Sequence, residues 1–338
     1  MSKWWRWIFP SFILVGLVAV LFIGREGFSG QNNNEPIVPS AQENYAIFPF
    51  ELPKELDFAG EMVPLEQFDV LEALDREVLS NAYFHSQTIR LIKLSNRFFP
   101  VIEPILKEEG IPDDFKYLAV AESGLVNAVS PANAVGFWQI RKGTGSELGL
   151  EINSEIDERY HLEKSTVAAS AYLKESYEKY ENWTMAAASY NVGRRGVDRE
   201  VLRQKQEDYY DLLLNEETAR YLFRILALKL IIEDPATYGF HLSMKDLYYP
   251  IPHYTVEVKQ PVADFADFAA EHGTNYKILK YLNPWLRDKS LANKAGKTYA
   301  IKIAEEGFRP VNSSAGRENN SIGVVSDGAG TDTSKVTK

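Results

Sequence analysis

The sequence predicts a mainly α protein that ends in a small α+β domain. Three observations carry that reading. From Leu65 to about Asp234 apolar residues recur at spacings of three and four, as in VLEALDREVLSNAYF, the period of helices with one buried face. No alternating run long enough for the core of a sheet interrupts that region. After Asp234-Pro235 the pattern changes to strand, two short helices and strand. At 338 residues the chain has room for two or three domains.

The first 25 residues read as a signal anchor or a signal peptide. Lys3 and Arg6 precede the apolar run Phe12–Ile23, with Trp4, Trp5 and Trp7 at its edge. The 20 residues from Trp4 to Ile23 are enough to cross a bilayer if Arg6 snorkels. The interfacial tryptophans and the lack of an A-x-A site favour the anchor, while Pro10 and Ser11 weaken a full-length helix. Positive residues ahead of the run place the bulk of the chain outside the cytoplasm. Residues 26–64 read as a linker rich in Asn, Pro, Gln and Ser, although Tyr45, Ile47, Phe48, Phe50 and Leu52 suit packing onto the next domain.

The helical domain spans 65–234. After VLEALDREVLSNAYF comes SQTIRLIKLSNRFFPVIEPILKEEG, which Pro100 and Pro104 should break or kink near Phe99. Next comes GIPDDFKYLAVAESG, a short helix: Pro112 suits its first turn, Asp113 and Asp114 suit the positive end of its dipole, and Gly124 is a natural stop. Further helices are expected at Ser165–Lys179, Thr184–Ser189 and Glu216–Ile232. Residues 235–252 form a connector, 253–304 the α+β domain and 305–338 a polar, disorder-like tail.

Composition narrows the function. A formal charge of -10 argues against nucleic acid as a partner, since phosphate binding wants a basic face. The absence of cysteine excludes disulfides, thiolate metal sites and a Cys nucleophile. The five histidines show no metal-ligand spacing, so no metal and no cofactor is expected.

Glu122 is the residue with chemistry to offer. It follows Phe115, Leu118 and Ala119 on one helix face, so it projects from the last turn on or beside the buried side. Apolar surroundings and the negative end of the dipole would raise its pKa and keep a proton available for general-acid work. The alternative for a Glu taken alone is a solvated helix end.

Four motifs decide between them. Glu122-Ser123-Gly124 is followed by Gly136-Phe137-Trp138-Gln139, then Ser189-Tyr190-Asn191, then Glu217-Thr218 with Tyr221. In that order and at those intervals they resemble the lytic transglycosylases of the Slt family, with the elements ES, G-[LIF]-[MW]-Q, [AS]-Y-N and E-T-x-x-Y. The resemblance runs from about Leu91 to Glu233, with further agreement near Asp157-Glu158-Arg159. Ser189 stands where Ala is commoner, and Trp138 where many members have Met. The resemblance implies a lysozyme-like all-α fold and a peptidoglycan substrate, cut between N-acetylmuramic acid and N-acetylglucosamine. It implies a single carboxyl group, Glu122, acting first as acid and then as base, so that the sugar's own C6 hydroxyl closes onto C1 as a 1,6-anhydro ring.

The same resemblance assigns the neighbours. Ser123 would contact the carboxylate or the substrate, or simply bond the helix end. Gln139 would line the sugar cleft, Tyr190 would hold and desolvate the acid, and Asn191 would meet an N-acetyl group. Glu217 would orient substrate or serve structure in preference to acting as a second catalytic carboxylate, because the acid–base work is already assigned. A lysozyme-like hydrolase would need a second carboxylate to activate water, for which Asp157 and Glu158 are the candidates. A non-catalytic wall-binding scaffold is the third reading. In the C-terminal domain, Tyr254–Val258, Phe265–His272, Tyr276–Leu282 and Gly296–Ile301 resemble the βααβ order of the LysM module, which binds N-acetylated glycans, with Lys259-Gln260-Pro261-Val262 in place of its Gly-Asp-Thr turn. Every assigned site residue precedes Asp234, so the cleft is expected to be complete without that domain. The envelope side of an inner membrane, with residues 4–23 as the anchor, is the expected location.

Overall fold

The computed structural model describes residues 47–308, so the expected signal segment, most of the expected linker and the tail beyond 308 lie outside the described residues. From Phe50 onward these residues form one unit. The last part of the expected 26–64 linker is not spacer but belongs to the helical domain. Asp57–Phe58 (β1) and Glu61–Met62 (β2) make a small antiparallel hairpin, with Phe58 opposite Glu61. Leu56, Phe58 and Val63 are buried in the core of the helical domain. The turn uses Ala59 and Gly60, both at positive φ (55° and 82°). That is the backbone of a tight hairpin turn, but Ala is a poor sequence signal for it.

The helices follow: Phe68–Ala82 (α1), His85–Glu108 (α2), Phe115–Ser123 (α3), Lys142–Glu147 (α4), Leu162–Tyr180 (α5), Trp183–Val192 (α6), Arg194–Gln204 (α7) and Glu216–Glu233 (α8). The helix α2 does not break at its prolines. Pro100 and Pro104 sit on its exposed face while Phe99, Ile102 and Leu106 anchor the other. The carbonyls left without a partner by the missing N–H groups therefore face water, which limits the cost. A buried α8, with Leu222, Ile225, Leu226 and Ala227 inaccessible, runs through the middle and packs on α1, α3 and α6.

Charges at the hairpin tie it to the helices that carry the site. Asp114 sits at the N-terminal end of α3 but caps nothing there. Its carboxylate accepts from the Ala59 N–H (2.7 Å) and from Lys229 of α8 (2.8 Å), whose ammonium also donates to the Asp57 carbonyl (3.0 Å). Glu61 reaches the start of α6, accepting from the Trp183 and Thr184 N–H groups, the second at 2.9 Å. This is how an acidic group best satisfies the orphan donors at a helix start.

The α+β domain matches the expected order: His253–Val258 (β3), Phe265–Glu271 (α9), Tyr276–Leu282 (α10) and Tyr299–Ala304 (β4). The closing strand starts three residues later than Gly296, where the pattern placed it. The strands β3 and β4 pair antiparallel, from His253 opposite Ala304 to Val258 opposite Tyr299. Alternate residues of β4, Tyr299, Ile301 and Ile303, face the core of the domain. A cavity of about 440 Å³ lies in the seam between the two domains, with Phe98 and Phe137 on one side and Trp285 on the other. Among the described residues no helix is long and apolar enough to cross a membrane.

Candidate active site

Glu122 lies in the last turn of α3, where Gly124 ends the helix in the left-handed region (φ 61°, ψ 32°) and returns its N–H to the Val120 carbonyl (2.8 Å). The residue is partly exposed, yet its carboxyl is set deep among protein atoms. Burial is the main force on it and holds its pKa up at about 7. A hydrogen bond donated by the Tyr221 hydroxyl pulls the other way, the charge of Glu217 pushes up again, and Arg224 opposes. At neutral pH the group is therefore poised between acid and conjugate base.

The three residues acting on Glu122 all come from α8, one turn apart on the same face: Glu217, Tyr221 and Arg224. Tyr221 is 2 % exposed, and its phenol is held far above its ordinary pKa by burial and by Glu122's charge, so it is a donor at every relevant pH. Behind it, the carboxylate of Glu77 from α1 is buried, accepts from Arg220 (2.6 Å) and lies 3.9 Å from Arg224.

Two opposite shifts in pH dependence test this arrangement. Tyr221→Phe removes a bond that favours the charged form, so Glu122 should keep its proton to higher pH and the falling limb of kcat/KM should move up. Glu217→Gln removes a like charge, so the same limb should move down. A pH–rate profile in which both variants shift the same way would contradict the geometry.

The remaining assigned residues divide into two groups. Tyr190, on α6, feels the Glu122 charge and is buried enough to stay neutral, but its hydroxyl donates to the Trp138 carbonyl (2.7 Å). The tyrosine whose hydroxyl reaches the Glu122 carboxyl is Tyr221, while the Tyr190 hydroxyl is engaged by the loop backbone. Asn191 accepts from Thr218 Oγ1 (2.7 Å) and donates to Glu217 (3.4 Å), so the third and fourth motifs meet side chain to side chain. Glu217 itself is exposed at the start of α8. Ser123 turns back on its own helix, its hydroxyl donating to the Ala119 carbonyl (3.2 Å), which is the helix-end role.

Gln139 belongs to a tight loop. Val135 and Ile140 exchange both backbone hydrogen bonds (3.1 Å each) and so close a short bracket around residues 136–139. Gln139 sits at positive φ (47°), with its side-chain amide donating to the Gly136 carbonyl (2.8 Å) and the Ala128 carbonyl (3.2 Å). Trp138 is fully buried and donates to Thr166 of α5 (2.9 Å), while Phe137 packs edge-on against Phe98 of α2. The loop thus anchors Phe137 and Trp138 in the core and holds the Gln139 amide on its own backbone.

The candidates for a water-activating carboxylate are otherwise engaged. Asp157 pairs bidentately with Arg159 (3.0 and 2.7 Å). Glu158 accepts from the Glu151 N–H (2.8 Å) and pairs with Lys164. Neither is among the groups that act on the Glu122 carboxyl. Among the described residues no cluster of His, Asp and Glu has the arrangement to hold a metal ion. Sequence reasoning passed over Tyr221 and Arg224 as site residues, although Tyr221 stands in the fourth motif; one helical turn from Glu217 was the available signal.

Comparison with known proteins agrees with this geometry. Residues 99–213 match the transglycosylase SLT domain, and residues 254–307 match the soluble lytic transglycosylase C-terminal LysM-like domain. Over 228 residues, 66 % of this chain, the sequence is 27 % identical to membrane-bound lytic murein transglycosylase D of Escherichia coli strain K12 and, equally, of Escherichia coli O6:H1. The match covers 49 % of those relatives, so the chain spans about half their length. The chain carries a transglycosylase SLT domain followed by a LysM-like domain.

Proposed function

We propose that the protein is a peptidoglycan lytic transglycosylase, cleaving the β-1,4 bond between N-acetylmuramic acid and N-acetylglucosamine. The observation that carries this is the Glu122 carboxyl, raised to about 7 by burial and held by Tyr221, while the candidates for a water-activating carboxylate, Asp157 and Glu158, are bound in ion pairs. Protonated Glu122 gives its proton to the bridging oxygen as the C1–O bond breaks. The resulting carboxylate takes the proton of the C6 hydroxyl on the same sugar, whose oxygen bonds to C1. Atoms balance without water, and the nucleophile is intramolecular, which gives it a high effective concentration. Gln139 and Asn191 would hold the glycan, and Glu217, which accepts from Asn191, would help orient it.

The products discriminate among the readings. Muropeptides released from purified sacculi should carry anhydro ends, one water lighter than reducing ends. Reducing ends would establish a hydrolase, and no release a wall-binding scaffold. For its setting, the reading is the cell envelope, on the periplasmic side, with residues 4–23 as an inner-membrane anchor and peptidoglycan glycan strands as the partner. It is supported by Lys3 and Arg6 ahead of the apolar run and by the name of the matched relatives. Full-length protein should sediment with membranes at high salt and retain Met1; a soluble chain beginning after Gly24 would overturn the anchor.

A further inference from the structure

The LysM-like domain does not stand apart from the site. Its hydrophobic core includes three residues of the helical domain, Val135 (4 % exposed), Ile156 (1 %) and Tyr160 (8 %), packed with Phe265, Trp285 and Ile301 among others. Val135 is one jaw of the bracket that holds Gln139. The segment 151–160, a loop with isolated bridges that ends in the short 3-10 helix Glu158–Tyr160, is the seam. Ile156 bridges Leu286, the Asp157 N–H donates to the Trp285 carbonyl (2.9 Å), and the Arg287 N–H donates to the Glu155 carbonyl (2.7 Å). Side chains add Glu151 with Lys297 (2.9 Å), Glu163 with Lys302, and the Arg287 guanidinium 4.0 Å over the Tyr160 ring.

From that seam a chain of contacts runs to the cleft. Asp157, fixed at its N–H by Trp285, holds Arg159 with both carboxylate oxygens. The Arg159 Nη1 then donates to the Asn133 and Ile140 carbonyls (3.2 Å each), on either side of the Gly136–Gln139 turn. The Arg159 carbonyl lies so close to Gly136 that no side chain fits there.

We propose that the LysM-like domain is a positioning part of the active site, setting the Gln139 loop through Ile156, Asp157 and Arg159. This rests on the transglycosylase reading above. It replaces the expectation that the cleft is complete at Asp234. A domain that only gathered wall polymer would matter for insoluble substrate and not for a short soluble chain. A domain that sets the loop matters for both.

The experiment uses the full chain and a short soluble glycan oligomer. Leu286→Ala, on the LysM-like side of the seam, and the isosteric Asp157→Asn each loosen the relay without touching Glu122. Each should lower kcat/KM about 10- to 10²-fold, the scale of a small misplacement transmitted from a distance. The loss should lie mainly in KM, because Gln139 would hold sugar, and the falling pH limb set by Glu122 should not move. General loosening of the fold would shift that limb by admitting water around the carboxyl. Glu257→Gln, exposed on the far strand, should stay within about two-fold. If both seam variants cleave the soluble oligomer as well as the parent chain while Glu122→Gln is inactive, the positioning role is overturned and the transglycosylase reading stands. If Glu122→Gln itself remains active, it is the underlying reading that fails.

Discussion

Glu122→Gln is expected to lose glycan cleavage by at least about 10²–10⁴-fold, the usual contribution of one general acid–base group, since in the proposed mechanism the same carboxyl serves both proton transfers. The amide matches the carboxyl in size and still accepts from Tyr221, so the fold should persist. Removing a carboxyl held at about pKa 7 against burial should leave stability at neutral pH unchanged or slightly higher. The sign follows from linkage: a carboxyl with a raised folded-state pKa opposes folding above its unfolded pKa, where the unfolded chain releases the proton more readily. Single-turnover cleavage of a soluble oligomer, with a melting curve beside it, measures both. A variant keeping more than roughly a tenth of the parent rate would lie outside the range for an essential acid and remove Glu122 from that role.

The second large effect is structural. Gly136 has φ +84°, and a Cβ built there would sit 2.1 Å from the Arg159 carbonyl oxygen. Left-handed strain costs about 1–3 kcal/mol for a residue with a side chain, and forced overpacking a further ~1–3 kcal/mol. Gly136→Ala should therefore destabilise by about 2–6 kcal/mol, lowering the melting temperature on the order of 10 °C. Because backbone and not a flexible side chain is in the way, the loop or the Arg159 segment must move. Cleavage should fall as well, even below the new melting temperature. An Ala variant that melts and cleaves like the parent would mean that Arg159 does not press on this loop.

Much of the fold was legible because helices with one buried face announce themselves. The Glu122 helix, the long Glu216–Glu233 helix and the strand–helix–helix–strand domain lie close to where apolar spacing and stop signals put them. Three features were not legible. The Arg194–Gln204 helix has only Gly196 and Val197 buried along RRGVDREVLRQ, too few apolar residues to print a period. The 57–62 hairpin turns on Ala59-Gly60, without the Asn-Gly or Asp-Gly that signals such a turn. The unbroken helix through Pro100 and Pro104 depends on which face meets water, a tertiary fact. In the site, Glu122 was legible through its motif. Tyr221 lies 99 residues away in sequence, and only packing of α8 on α3 reveals that its hydroxyl reaches the acid. Asp157 read as a candidate water-activating carboxylate in the sequence, whereas in the structure it pairs with Arg159, which donates to the Asn133 and Ile140 carbonyls.

The shared core of the two domains also orders events in time. Val135, Ile156 and Tyr160 wait for partners such as Trp285, Ile301 and Ile303, well over a hundred positions further along the chain. Contacts at such separation close late, after the local helices have formed. On a ribosome adding about 5–20 residues each second, the helical domain is fully synthesised several seconds before the last strand appears. During that interval Glu122 and Tyr221 are already on the chain, but the bracket around Gln139 still lacks the surface that closes over Val135. Under the proposed positioning role, the cleft would be finished only once the LysM-like domain has been made through β4.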